Sequence, residues 1–315
     1  LLLAALATCH LFFDTAAQGW LRHAWFDSYQ RMMPRQRAAQ PAIVVAVDEK
    51  SLAQLGQWPW PRTLVARLMD AIGGYRPLAV GVDVIFAEPD RLSPQAIAEH
   101  NPQIDAALAL QLQRLASNDE ALAAAIRRLP VVLGVAGLNQ PGLGASPRSG
   151  AVFVMQGDPL PYLWHFPAAL TSLKLIDEAA TSRALFSADV QDRIVRRVPL
   201  IAAVGGNILP SLGLETLRVG IGAKEIRVRT GAHGVESIGV GDAMIPTDRD
   251  GQVWVRFSPH DPGRFVSAAD VLASKVDRDR IANKLVLLGV TGIGLVDQQA
   301  TPLAERIPGI EVHAQ

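Results

Sequence analysis

Apolar residues along this chain follow two periods. Ile43–Val47, Leu78–Val84, Pro130–Ala136 and Leu285–Val290 are short aliphatic runs without polar alternation, which predicts strands covered on both faces. Between the first two, Leu64, Val65, Leu68, Met69 and Ile72 recur at helical spacing from Arg62, and Gly73 and Gly74 stop the run. Strand, helix and strand in this span form a βαβ unit, with parallel strands and a right-handed crossover.

Residues 88–130 read as mostly helical, with Ala/Leu stripes over Asp105–Leu115 and Asn118–Leu129 and with Asn118 or Asp119 as a cap. Residues 137–150, rich in Gly, Pro and Ser, read as an exposed loop. Asp192–Ile201 alternates into a strand, and Pro210–Val219 reads as a helix. Ile226–Arg229, Ser237–Val240, Ala243–Pro246 and Gln252–Phe257 read as short antiparallel strands between Gly or Asp turns. A short helix over Ala268–Ser274 precedes the last buried strand. The fold class expected is α/β: a central, mostly parallel sheet flanked by helices, a mixed or antiparallel β section inserted in the middle, and a membrane-proximal helix in front.

That front part is residues 14–40, a helix and a polar linker. Leu21, Ala24, Trp25, Ser28 and Met32 repeat at helical spacing, and Pro34 marks the end. Residues 1–13 are apolar apart from Thr8 and His10 and read as a truncated transmembrane helix; a buried helix or signal-peptide remnant is the other reading. The belt of Trp20, Arg22, His23, Trp25, Phe26, Tyr29, Arg31 and Arg35 suits a lipid headgroup layer. Residues 41–315 then form one domain.

The net charge is zero, which argues against a nucleic-acid partner. Cys9 is the only cysteine, so no internal disulfide and no Cys-based zinc site is available. The seven histidines lack metal-ligand spacing, and no Ser/His/Asp order is evident. Neither a metal nor a cofactor is expected.

Several blocks stand in a fixed order: Val45–Leu52, Trp58-Pro-Trp-Pro-Arg62, Gly81–Asp90, Val195–Leu200, Pro210-Ser-Leu212, Leu285–Thr291, Asp297, Ala300-Thr-Pro-Leu303 and Pro308–His313. With these blocks the chain resembles the second type of CHASE domain, the sensory extracellular domains associated with cyclases and histidine kinases. The resemblance covers roughly residues 40–315. It implies the extracytoplasmic input domain of a bacterial receptor in the inner membrane. Such a domain passes a conformational change to a cytoplasmic kinase or nucleotide cyclase that this chain does not contain. The partners expected are an unknown small ligand or periplasmic protein, the membrane, and a second copy joined through the membrane-proximal helix.

Ligands of open α/β sheets bind at the carboxyl ends of strands. Asp48, Glu49, Asp83, Thr291, Gly292 and Asp297 fall there and are candidate ligand contacts, with Arg62 beside them. Backbone amides of the 291–295 turn could hold an anion, whereas the carboxylates favour a cation or amine. The plainer reading stays open: Asp48 and Asp297 as caps, Asp83 as a loop tie, Arg62 paired with Asp48 or Glu88. Trp58 and Trp60 read as a plug at the sheet edge. The alternative from another class is an enzyme, a metal-assisted phosphohydrolase using Asp48, Asp83 and Asp297.

Overall fold

The computed structural model describes residues 16–37, 39–140, 144–187, 189–191, 194–292 and 298–315. The transmembrane expectation for 1–13, and the candidate Asp297, lie outside the described residues. Helix α1 (Ala16–Met32) leads through the linker into β1 (Ala42–Val47), α2 (Glu49–Leu55), α3 (Arg62–Gly74) and β2 (Ala79–Asp83). Three helices follow, α4 (Pro94–His100), α5 (Ala106–Gln113) and α6 (Asn118–Arg127), and then β3 (Val131–Leu138). Among the described residues no helix is long and apolar enough to cross a membrane.

The aliphatic runs form one sheet. Its order brings in two late strands, β16 (Phe265–Ser267) and β17 (Leu285–Val290), as β16-β1-β17-β2-β3, all paired in parallel. Strand β7 (Ser182–Leu185) adds to β3 in parallel, and β6 (Ala168–Leu170) pairs antiparallel with the far end of β3. The first crossover therefore skips a place, because β17 inserts between β1 and β2. One face carries Ile43, Val45, Val80, Val82, Leu133, Val286 and Leu288 against Leu68, Met69, Ile72, Leu122 and Ile126 of α3 and α6. Each such buried aliphatic side chain contributes about 1.5–3 kcal/mol. The other face packs Val44, Ala46, Val132 and Leu287 against α8 (Leu212–Gly220) and α10 (Gly309–His313). Both faces are covered, which is why the strands are apolar without alternation. At Gly81 a Cβ would sit 2.8 Å from Leu287 Cδ2 and also meet Thr216, so α8 needs glycine there to approach the sheet.

The middle of the chain, with two strands from its end, builds three smaller sheets. β12 (Glu225–Gly231), β13 (Gly234–Val240) and β14 (Ala243–Pro246) form an antiparallel meander, and β4 (Val152–Gln156) adds to β12 in parallel. Ile226, Val228, Ile238 and Val240 form its core with Leu163 and Ile201. β10 (Ile201–Val204) pairs with β11 (Asn207–Pro210) and with β5 (His165–Phe166). β15 (Gln252–Trp254), β9 (Ile194–Pro199), β18 (Gln298–Thr301) and β19 (Ala304–Pro308) make the third sheet, with β8 (Asp189–Gln191) on β9. The expected last strand of the meander thus pairs with β9 instead. The expected loop over 137–150 begins inside β3, which runs to Leu138. α7 (Lys174–Asp177) and α9 (Ala268–Leu272) cover the helix face of the main sheet through Ile176, Ala268 and Val271.

α1 lies against the third sheet. Asp27 accepts a bidentate ion pair from Arg196 on β9, Nε to Oδ1 and Nη2 to Oδ2, each 2.8 Å. Gln30 accepts from Phe257 N at 3.0 Å, and Phe26 packs on Trp254 with centroids 4.6 Å apart. The packed face is therefore His23, Phe26, Asp27 and Gln30. The apolar stripe legible in the sequence points away: Trp25 is 76 % exposed and Met32 72 %.

Candidate functional site

β1, β17 and β2 end side by side, so Asp48, Thr291, Gly292 and Asp83 come together at one rim of the main sheet. Asp48 is the N-cap of α2. Its Oδ1 accepts from Ser51 N at 2.9 Å, Ser51 Oγ at 2.6 Å and Ser267 Oγ at 2.8 Å. Ser51 Oγ in turn accepts from Ala269 N, so one carboxylate oxygen locks the starts of α2 and α9 to the strand ends. Thr291 N and Gly292 N both donate to Val47 O, at 3.0 and 3.1 Å. Those two amides extend the ladder and do not face an anion. A Cβ at Gly292 would collide with Leu52 and come within 3.4 Å of Glu49 Oε1, which sets Glu49 beside the Gly-rich turn. Asp83 follows Gly81 in the two-residue alternation, onto the face covered by α8, opposite the face of α3.

Arg62 belongs to a different group. It does not pair with Asp48. Its Nη2 donates to the Glu88 carbonyl at 3.3 Å, its backbone N to Asp90 Oδ2 at 2.7 Å, and its Nε lies 3.5 Å from Asp119 Oδ1. The guanidinium sits 4.7 Å over the Phe86 ring. Asp90 and Asp119 are both buried, and Asp90 N donates to Asp119 Oδ2 at 3.1 Å. Burial pushes the Asp90 carboxyl up, but hydrogen bonds from Leu92 N, Arg62 N and Asn118 outweigh it and leave it below the ordinary value. Asp119 moves the other way: burial raises it more than the Asp90 amide and Arg62 lower it, and the Asp90 charge adds to the rise. Neither Asn118 nor Asp119 caps α6. Ser117 does, in a capping box with Glu120, because that pair satisfies two free donors at once. Trp60 is a core residue, 1 % exposed, with its indole N–H on the Gly56 carbonyl and Trp58 packed against it.

A third group was not legible as a site. Arg264 and Glu311 are fully buried and joined Nη1 to Oε1 at 2.9 Å. Glu311 Oε2 meets His260 Nδ1 at 2.7 Å, and Arg264 Nη2 donates to Ser258 Oγ at 2.9 Å. Ser258 Oγ and N both donate to Gln315 Oε1, at 3.0 and 3.1 Å. The linker after α1 enters the same network. Arg35 Nη1 donates to Gln315 O at 2.8 Å, and Arg37 Nη2 to Ala314 O and Gln315 O at 2.9 Å each. Burial, followed by repulsion from Arg264 and Arg35, lowers the Arg37 pKa to about 10. Burial likewise lowers Arg264, against the pull of Glu311 and Asp261. The segment that follows α1 and the segment that follows α10 are thereby held on one charged scaffold.

Both Arg196 and Arg197 are salt-bridged, to Asp27 and Asp248, on opposite faces of β9. Among the described residues no group of three or more His, Cys, Asp or Glu is placed to hold a metal ion. No curated protein and no solved structure matches this chain. A family model described as the CHASE2 domain matches residues 3–315. Since that match spans essentially the whole chain, including the strand ends, the Arg62 group and the Glu311 scaffold, the chain belongs to the CHASE2 domain family of extracellular sensory domains.

Proposed function

We propose that this chain is the ligand- or stimulus-sensing input domain of a transmembrane receptor, facing the periplasmic or extracellular side. It relays a conformational change to a cytoplasmic effector, a histidine kinase or a nucleotide cyclase, and has no catalytic activity itself. The observation that carries this reading is the scaffold joining Arg35 and Arg37 to Ala314 and Gln315. A relay needs two states of the segments leading to the membrane, biased by differential affinity for a ligand. Tying both segments to one network makes them move together. α1 is the membrane-proximal helix in this reading, and its exposed Leu21, Trp25 and Met32 are the contact for a second copy.

The test is effector output of the full-length receptor. Arg37→Ala, which removes the bonds of the linker to Ala314 O and the Gln315 side chain and leaves only that of Arg35, shifts basal output while the domain stays folded. Unchanged output in Arg37→Ala and in Arg264→Ala, both shown to be folded, would overturn the relay. The phosphohydrolase alternative asks Asp48 to bind a metal, yet one of its oxygens already accepts three hydrogen bonds. Mg²⁺-dependent phosphate release that disappears in Asp48→Asn would replace the sensory reading.

A further inference from the structure

A cavity of about 590 Å³ opens between α8, β9, β15 and α10 and reaches the linker at Arg35. It lies away from the strand-end carboxylates and from the Arg62 group. Its volume is that of a small-molecule site. The wall is mainly apolar, with Leu217, Ile245, Val253 and Val312 among its contributors. Arg35 and Arg256 stand at the cavity, and no Asp or Glu side chain lines it. Arg35 uses Nη1 on the Gln315 carbonyl, and among the described residues no hydrogen bond or ion pair holds the Arg256 side chain. The Ser211 hydroxyl, also on the wall, makes no capping bond to α8. Apolar walls with guanidinium groups lacking a counter-ion suit a ligand with a greasy body and one anionic head.

We propose that this cavity binds an amphipathic monoanion, a medium-chain aliphatic or aryl-alkyl carboxylate, with its chain along the apolar wall and its carboxylate at Arg35 and Arg256. The charge of Arg35 already acts on its surroundings: with burial and Arg264 it helps lower Arg37 to about 10, and a bound anion relieves that repulsion. The site also touches both segments of the relay. Trp254 forms part of its wall and packs on Phe26 and His23 of α1, with ring centroids 4.6 and 5.9 Å away. Val312 and Gln315 bring in α10 and the segment after it. That the site serves as an input rests on the sensory reading above; the binding itself does not.

The probes are decanoate, decanamide and decylamine, titrated calorimetrically into the 315-residue chain. Decanoate is expected to bind saturably, one per chain, at least about tenfold more tightly than the amide, with the amine weakest. Arg256→Gln is expected to weaken decanoate about tenfold to a hundredfold while leaving decanamide unchanged. Leu217→Trp fills the cavity and removes binding of all three. Because a bulky residue on α8 risks the packing beneath it, Ile245→Trp fills the cavity from β14 as a second variant. No saturable decanoate binding, equal affinity for the three probes, or unchanged decanoate affinity in Arg256→Gln would overturn the site. Decanoate that binds as stated but leaves effector output of the full-length receptor unchanged would remove the input role and leave the binding site standing.

Discussion

Arg37 and Gln315, 278 residues apart, are joined twice: Nη2 of the arginine donates to the glutamine backbone carbonyl at 2.9 Å and to its side-chain oxygen at 2.8 Å. With Arg35, whose Nη1 donates to the same Gln315 carbonyl at 2.8 Å, it links the segments next to α1 and α10. Cutting it with Arg37→Ala is expected to cost only about 1 kcal/mol, since the guanidinium is partly solvated. The informative readout is local. Amide hydrogen exchange should quicken in the linker and in α10 together, with the main sheet unaffected. Faster exchange in the linker alone would mean the two segments are not coupled.

The Arg264–Glu311 pair lies beneath that contact and is fully buried. Arg264→Met takes the guanidinium from the buried Glu311 carboxylate and is expected to destabilise the fold by about 3–5 kcal/mol. Arg264→Met with Glu311→Leu removes both charges and should lose clearly less. Denaturant unfolding midpoints give the comparison. Equal losses in the single and double variants would mean the charges contribute little beyond packing.

Asp119 and Asp90 predict opposite dependences on pH. Asp119 titrates above its ordinary value of 3.8 in the folded protein. The folded state therefore holds that proton longer than the unfolded chain, and the associated stability falls as pH rises from 3.8 through the raised value. Asp90 is lowered, so its contribution is present above 3.8 and is lost as pH falls through its lower folded value. Asp119→Asn should flatten the decline on the upper side of 3.8 and leave the acid limb in place. Melting temperatures across a pH series test this, and an unchanged upper limb would count against it.

Asp48→Ala separates a cap from a ligand contact. Loss of the cap on α2, together with loss of the carboxylate acceptor of Ser51 and Ser267, is expected to cost about 1–2 kcal/mol. If capping is its whole role, receptor output should return to the wild-type level at a temperature where the variant is fully folded. A persistent loss of response there would restore Asp48 as a ligand contact.

Much of the α/β layer was legible because its signals are local. Unbroken aliphatic runs mark β1, β2, β3 and β17, since strands covered on both faces have no polar side to show. The helical stripe from Leu64 to Ile72 marks α3. The capping box Ser117–Glu120 has the same local signature, beside Asn118 and Asp119, which are also capping residue types. Elements of three or four residues, such as β6, β7 and β16, are too short to carry a period, so the far edges of the sheet were not visible. α1 inverted expectation for a different reason. Its apolar stripe faces outward, and its packed face is held by Asp27 and Gln30, polar residues whose partners Arg196 and Phe257 lie far along the chain.

By itself the sequence determined the four buried strands β1, β2, β3 and β17, the main helices, the family and the closeness of Asp48, Thr291 and Asp83, because hydrophobic period and parallel pairing constrain where strands end. Only the tertiary structure decided that Arg62 serves Asp90 and Asp119, that Glu311 anchors a buried scaffold, and that Arg35 and Arg256 stand over an apolar cavity. Each of those depends on which polar groups meet after the chain has left the sheet and returned. A side chain carries no local mark of a partner that lies on another element of the fold, and burial of such a pair is decided only when those elements pack.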